Sequence, residues 1–224
     1  MTWNGAARLR PMCADQESWS ETDRLRTFEE IYVQAGQDFT AIPWAALAPN
    51  PALVTWLDQQ PPPAGDPGLI IGCGLGDDAE EAARRGYQVT AFDLSPTAVG
   101  HCRDRYPDSA VDYQVADLFQ LPATWAATFG LVVEIRTLQS LPLSQRADAT
   151  AAMAAPVRPG GRVFVHCLAR DDDEVPVSRP WPVSHRELVG FNAAGLAEAE
   201  FVDQPAIPPH GRLFTAVYTR PERA

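Results

Sequence analysis

The chain has 224 residues, with 29 acidic against 18 basic side chains, a formal charge of −11 and a 46% hydrophobic composition. This length suits one domain with a large core, no run of about 18 apolar residues offers a bilayer span, and an acidic surface repels phosphate backbones. These properties point away from membrane and nucleic-acid partners and toward a small-molecule substrate, handled by a monomer or homodimer.

In chain order, the N-terminal MTWNGAARLRPMCADQESW has no apolar stretch followed by a small-residue cleavage site, so a cytoplasmic location is expected. Residues 1–26 lack an apolar face and read as a flexible segment or lid, because a polar terminus gains too little burial to offset chain entropy. From Thr27, TFEEIYVQAG places Phe28, Ile31, Tyr32 and Ala35 on one helical face, with Gly36 as the stop. A second helix, 51–60, carries Leu53, Val54, Trp56 and Leu57 and ends at three prolines that cannot continue it. Residues 27–66 are thus a helical lid, and 67–224 a core within the same domain.

From Gly68, apolar runs alternate with helical patterns, which predicts an α/β fold: a seven-stranded, mostly parallel sheet with helices on both faces. The strands are expected at 69–71, 88–92, 111–115, 131–135, 162–168, 196–202 and 213–219. Between the first two, DDAEEAARRG has acids in its first turn, arginines in its last and Gly86 beyond, the polarity a helix dipole favours. Ser95 and Pro96 open the next helix, and Ser184 to Glu187 form a capping box for a later one.

The segment LIIGCGLGDD runs from a strand through Gly72, Gly74 and Gly76 directly into a helix, where the backbone must turn and lie against a ligand. Asp93 closes the next strand about twenty residues on, where a carboxylate accepts ribose hydroxyls. A nicotinamide dinucleotide prefers G-x-G-x-x-G with no acid in the first turn. Here the spacing is G-x-G-x-G followed by Asp77 and Asp78, which suit a sulfonium and an amino group, favouring S-adenosylmethionine. The other reading of the two aspartates is that of dipole partners in a helix first turn.

Five segments in order, LIIGCGLGDD, VTAFDLSPTAV, VADLFQLP, FGLVVEIRTLQSLP and RPGGRVFVH, make the chain resemble class I S-adenosylmethionine-dependent methyltransferases, with their Rossmann-like fold. The resemblance implies that Gly72, Cys73 and Gly74 lie against the methionine part of the cofactor. It implies Asp93 on the ribose with Leu94 lining the adenine, and Asp117 on the adenine amino group with Leu118 beside it. Glu134 and Ile135 would flank the sulfonium and the substrate pocket. The run G-C-G-x-G-x-D through Asp78, with the upstream PW and PALVTWL, is similar to the thiopurine and thiol methyltransferase branch, which implies a thiol or other soft acceptor. O- or N-methylation of a small metabolite, and a non-catalytic S-adenosylmethionine-binding protein, are the alternatives.

Glu134, Arg136 and His166 are the catalytic candidates: Arg136 to hold an anionic acceptor, and Glu134 or His166 to take a proton from a hydroxyl or amine. For His166 a core role competes with that of a base. Tyr32, Trp44 and Trp181 are candidates for a substrate lid, with simple packing as the other reading. His101 and His210 are expected exposed, His185 on a helix surface, and no His and carboxylate spacing suggests a metal. Arg84, Arg85, Arg103 and Arg105 read as solvated helix faces, and the acids 171–174 as a solvated loop. Cys13, Cys73, Cys102 and Cys167, without a C-x-x-C pair, read as reduced thiols.

Overall fold

The computed structural model describes residues 20–61, 63–206 and 211–222. The first helix, α1 (Glu21–Ala35), starts six residues before the expected Thr27. Ser20 accepts the Asp23 amide at 3.2 Å and the Asp23 carboxylate takes the Ser20 amide at 3.2 Å, so a capping box starts the helix ahead of its apolar face. Residues 1–19 lie outside the described residues, and with them Cys13. Helix α2 (Pro51–Asp58) is capped by Asn50 and stops before the prolines.

Eight strands follow: β1 (Pro67–Ile71), β2 (Gln88–Asp93), β3 (Asp112–Val115), β4 (Phe129–Ile135), β5 (Val157–Arg170), β6 (Val183–Ser184), β7 (Ala197–Gln204) and β8 (Leu213–Thr219). Seven form the expected sheet in the order β3-β2-β1-β4-β5-β8-β7, and the two-residue β6 pairs with β5 off that path. Strands β1 to β5 are parallel, and β8 runs antiparallel between β5 and β7.

Helices cover both faces. Ile70, Ala91, Leu131, Val133 and Phe164 pack with Leu53 and Trp56 of α2, with α3 (Asp77–Arg84) through Ala79 and Ala82, and with Val99 of α4 (Pro96–Arg105). The opposite face, with Leu69, Ile71, Val132, Val163 and Val165, packs on Ala149 and Met153 of α5 (Arg146–Ala154), Leu188 of α6 (His185–Leu188) and Phe191 of α7 (Gly190–Ala193). Burial on both faces explains why the parallel strands are continuously apolar. Because β1 has β2 on one side and β4 on the other, a crevice opens at its C-terminal end, where open α/β sheets bind ligands.

His101 and Arg105 differ from expectation, whereas Arg84, Arg103, His185 and Asp171 keep the surface positions expected of them. His101 is buried, its ring 5.0 Å from that of Phe39, because residues after α1 fold onto α4. Arg103 donates to the Tyr113 carbonyl at 2.5 Å, and Arg105 pairs with Asp77 at 2.9 Å and donates to the Leu75 carbonyl, so both tie α4 to its neighbours. Arg84 and Arg85 bind Glu81, and Arg85 also reaches Asp58. His185 pairs with Glu198 at 2.9 Å, and Asp171 with Arg212 at 2.6 Å. Cys73, Cys102 and Cys167 are free and buried, and His210 lies outside the described residues. No helix among the described residues is long and apolar enough to cross a membrane.

Candidate active site

The glycine loop leaves β1 in conformations that L side chains rarely adopt. Gly72 has φ 61°, and a Cβ there would lie 2.5 Å from Thr137 Oγ1. Gly76, at φ 87°, begins α3, and its Cβ would lie 2.6 Å from the Tyr113 hydroxyl. Glycine is therefore needed at both, for backbone angle and for space. Asp93 braces the loop: its two oxygens accept the Gly74 amide at 3.0 Å and the Ser95 amide at 2.9 Å. Burial pushes its pKa up to about 6, against those amide bonds, which favour the charged form. The Cys73 thiol packs beside Cys102 in the core, so what Cys73 presents to a ligand is backbone. Leu94 is half-buried after Asp93.

The other expected cofactor acids already have protein partners. Asp77 is paired with Arg105 and accepts the Tyr106 hydroxyl at 3.1 Å, so its charge is spent within the fold. Asp78 accepts the Asn50 amide at 2.6 Å, fastening the start of α2 to the glycine loop, and burial raises its pKa to about 6. Asp117 accepts the Phe119 amide at 3.0 Å and pairs with Arg24 of α1 at 2.9 Å, and Leu118 beside it is buried. The Arg24 guanidinium also lies 4.6 Å from the centre of the Phe119 ring. Glu29 accepts the Ser95 and Thr97 hydroxyls, each at 2.5 Å, so α1 is pinned across the ends of β2 and β3. Arg24 and Glu29 escaped the sequence reading. The S-x-x-D pattern at Ser20 was the available signal for Arg24, because it extends the helix to include it.

On the other side, the two candidate bases, Glu134 and His166, do not converge. Glu134 pairs with Val165 across β5 whereas His166 pairs with Ile135, so Glu134 and His166 leave opposite faces of the sheet. Glu134 is fully buried; Oε1 accepts the Leu138 amide at 2.8 Å, holding the turn after β4, and Oε2 has no partner among the described residues. Burial pushes its pKa up to about 7. His166 is buried with Nδ1 2.9 Å from Thr215 Oγ1. Burial first, then the Arg136 charge, lowers its pKa to about 4, which leaves it neutral at pH 7. Arg136 follows β4 at φ 64°, and its amide donates to the His166 carbonyl at 2.9 Å.

The three aromatics do not form one lid. Trp44 donates its indole N–H to the Tyr32 hydroxyl at 3.0 Å, and the pair sits by the glycine loop, where a Cβ on Gly74 would be 3.3 Å from that hydroxyl. Trp181 is anchored elsewhere. Its amide donates to the Gln139 carbonyl at 2.8 Å, and its carbonyl accepts from Arg146, which with Arg170 shares Glu187 at 2.8 Å. No group of His, Cys, Asp or Glu able to hold a metal occurs among the described residues. Two cavities lie away from this crevice, one at the opposite ends of the strands near Tyr87 and Arg158, the other beside β7 and β8 near Phe201 and Arg212.

Residues 69–161 match the family described as methyltransferase domain. The chain is similar to the ubiquinone biosynthesis O-methyltransferases of Aromatoleum aromaticum, 37% identical over 124 residues, and Xanthomonas axonopodis pv. citri, 37% identical over 126. Each match covers 54% of this chain and 52% or 51% of the relative, so the chain spans about half the length of the curated relatives it matches. Among solved structures it resembles the 1,6-didemethyltoxoflavin-N1-methyltransferase of Burkholderia thailandensis, which holds 1,6-didemethyltoxoflavin and S-adenosylhomocysteine. That likeness has a TM-score of 0.69 and 18% identity, covering 93% of this chain and 94% of that one. The N-methyltransferase NodS of Bradyrhizobium japonicum WM9, with S-adenosylhomocysteine, gives a TM-score of 0.66 at 23% identity, covering 88% and 98%.

Proposed function

From a chain that carries a methyltransferase domain on the mostly parallel α/β fold of S-adenosylmethionine-dependent methyltransferases, we propose methyl transfer from S-adenosylmethionine to a hydroxyl oxygen of a small metabolite. The observation that carries this reading is the glycine loop braced by Asp93. Gly72 and Gly74 take left-handed angles at which a Cβ would strike Thr137 or crowd the Tyr32 hydroxyl, and the Asp93 oxygens, which accept the Gly74 and Ser95 amides, keep lone pairs for ribose hydroxyls. Leu94 follows that acid. Asp117 is assigned to the adenine amino group through the acceptor capacity that Arg24 and Phe119 leave, with Leu118 behind it. The activity in the names of the curated relatives favours oxygen over the thiol that the narrower resemblance implied.

When bound, S-adenosylmethionine supplies a methyl group on a positively charged sulfur. The chain's own work is alignment and exclusion of water. Tyr32 and Trp44 cover the glycine loop, Trp181 borders the acceptor side, and His166 receives the proton of the acceptor hydroxyl. With Nδ1 engaged by Thr215, its Nε2 would take that proton and pass it to solvent. Glu134, on the other face, holds the turn after β4.

Calorimetric titration with S-adenosylmethionine and S-adenosylhomocysteine tests the reading. The native chain should bind both, and Asp93→Ala should weaken binding roughly tenfold or more, the equivalent of losing about 1.4 kcal/mol. Methyl-labelled cofactor should then mark catechol in preference to dithiothreitol. Failure of the native chain to bind either ligand would overturn the reading, and labelling of the thiol instead would return it to the thiol branch.

A further inference from the structure

We infer that Arg136 recognises an anionic group on the acceptor, so that the substrate carries a carboxylate or a comparably acidic group beside the hydroxyl to be methylated; this rests on the methyl-transfer reading above. The arginines around the crevice are otherwise matched. Arg24 has Asp117, Arg105 has Asp77, and Arg146 and Arg170 share Glu187. Arg136 has no hydrogen bond or ion pair to its guanidinium among the described residues, in a chain whose formal charge is −11. The nearby charge that favours its ionised form is Asp78, beyond ion-pair distance and bonded to the Asn50 amide.

The Arg136 side chain is exposed, so its charge is available to a ligand, although the nearby protein lowers its pKa. Its backbone is strained. The φ angle is left-handed in a residue with a long side chain, and the bond from the Arg136 amide to the His166 carbonyl at the end of the β4–β5 ladder holds it in place. Such strain tends to gather where a binding group must be held in position.

Position and charge agree. Arg136 follows β4 directly, one residue after Ile135, the register partner of His166. With His166 neutral, the positive charge offered at this strand end is that of Arg136. A guanidinium fork suits a carboxylate bidentately, which a lysine at the same point would not reproduce. The competing anion is the cofactor's own carboxylate, and the experiment separates the two.

Protein saturated with S-adenosylhomocysteine would be titrated calorimetrically with 3,4-dihydroxybenzoate and with catechol, the same ring lacking the carboxylate. The native chain should prefer the acid by about tenfold or more, the scale of one charge-assisted bidentate contact. Arg136→Gln should abolish the preference and Arg136→Lys should keep part of it, while the affinity for S-adenosylhomocysteine stays within about twofold. Equal binding of acid and catechol, no binding of either, or a preference that survives Arg136→Gln would overturn the inference. So would a loss of S-adenosylhomocysteine affinity in Arg136→Gln, which would give the residue to the cofactor. If the native chain does not bind S-adenosylhomocysteine at all, the methyl-transfer reading falls first and this one with it.

Discussion

The wall of the crevice formed by β1 and β2 is held mostly by main chain, and the wall formed by β4 and β5 mostly by buried charged side chains. On the first, Asp93 receives the amides of Gly74 and Ser95, and Gly72 and Gly76 take left-handed angles that exclude other residues. On the second, Arg146 holds the Trp181 carbonyl and Glu187, Glu134 holds the Leu138 amide, and His166 leans on Thr215. Amide bonds at fixed geometry depend little on pH. Charged groups without water depend on it strongly, and on every partner being present. The contrast suggests a first wall sensitive above all to shape, with pH entering through the Asp93 and Asp78 carboxylates, and a second sensitive to pH and to the loss of any partner.

The largest effect should come from the second wall. Arg146→Ala removes the buried guanidinium that holds the Trp181 carbonyl and one of the two that hold Glu187, at a site only 2% exposed, so unfolding free energy should fall by about 3 kcal/mol. Urea denaturation measures this, and a loss under about 1 kcal/mol would mean that the Trp181 loop is held by something else. Gly72→Ala strikes the first wall. The left-handed angle alone costs roughly 1–2 kcal/mol, and the contact with Thr137 Oγ1 adds to it. Adding Thr137→Ala should restore only the contact's share; full restoration would show that the backbone angle is unimportant.

The next difference is in pH. The folded pKa of Glu134, about 7, lies above its ordinary 4.5, so the folded state binds the proton more tightly than the unfolded state. Its contribution is fully present below about pH 4.5 and is lost as pH rises toward 7, on the order of 3 kcal/mol in all. Asp93 and Asp78 act in the same direction over roughly pH 4 to 6. His166 acts in the opposite direction, losing stability as pH falls from 6.5 to 4. Denaturation at pH 5 and pH 8 should therefore show a smaller fall in Glu134→Gln than in the native chain; equal falls would mean that Glu134 reaches solvent. The smallest effect is expected from Thr215→Val, about 1 kcal/mol for one lost hydrogen bond to His166, read from the same denaturation curves.

The two walls were also unequally legible before the structure. The glycine loop, Asp93, the Ser95 cap and the Ser184 capping box depend on residues a few positions apart, so spacing alone located them. Ser20 follows the same rule, but its capping box lies ahead of the apolar face that marks the helix. Glu134 illustrates a harder case. Its position after three apolar residues suggests a strand-end acid, while period-two counting from Val132 places it on the α5 face, opposite His166.

Residues 69–135 thus determined by themselves that a parallel sheet forms and that a nucleoside-binding turn lies at its switch point, because strand period, turn chemistry and capping are local. Which charges are spent and which remain free was decided only by tertiary structure. Arg24 meets Asp117 across 93 residues and Arg146 meets Glu187 across 41, and no local pattern encodes such pairings. They arise when α1 and α5 pack onto the sheet, bringing charges together where water is scarce enough for each to require a partner, while the exposed Arg136 has none among the described residues.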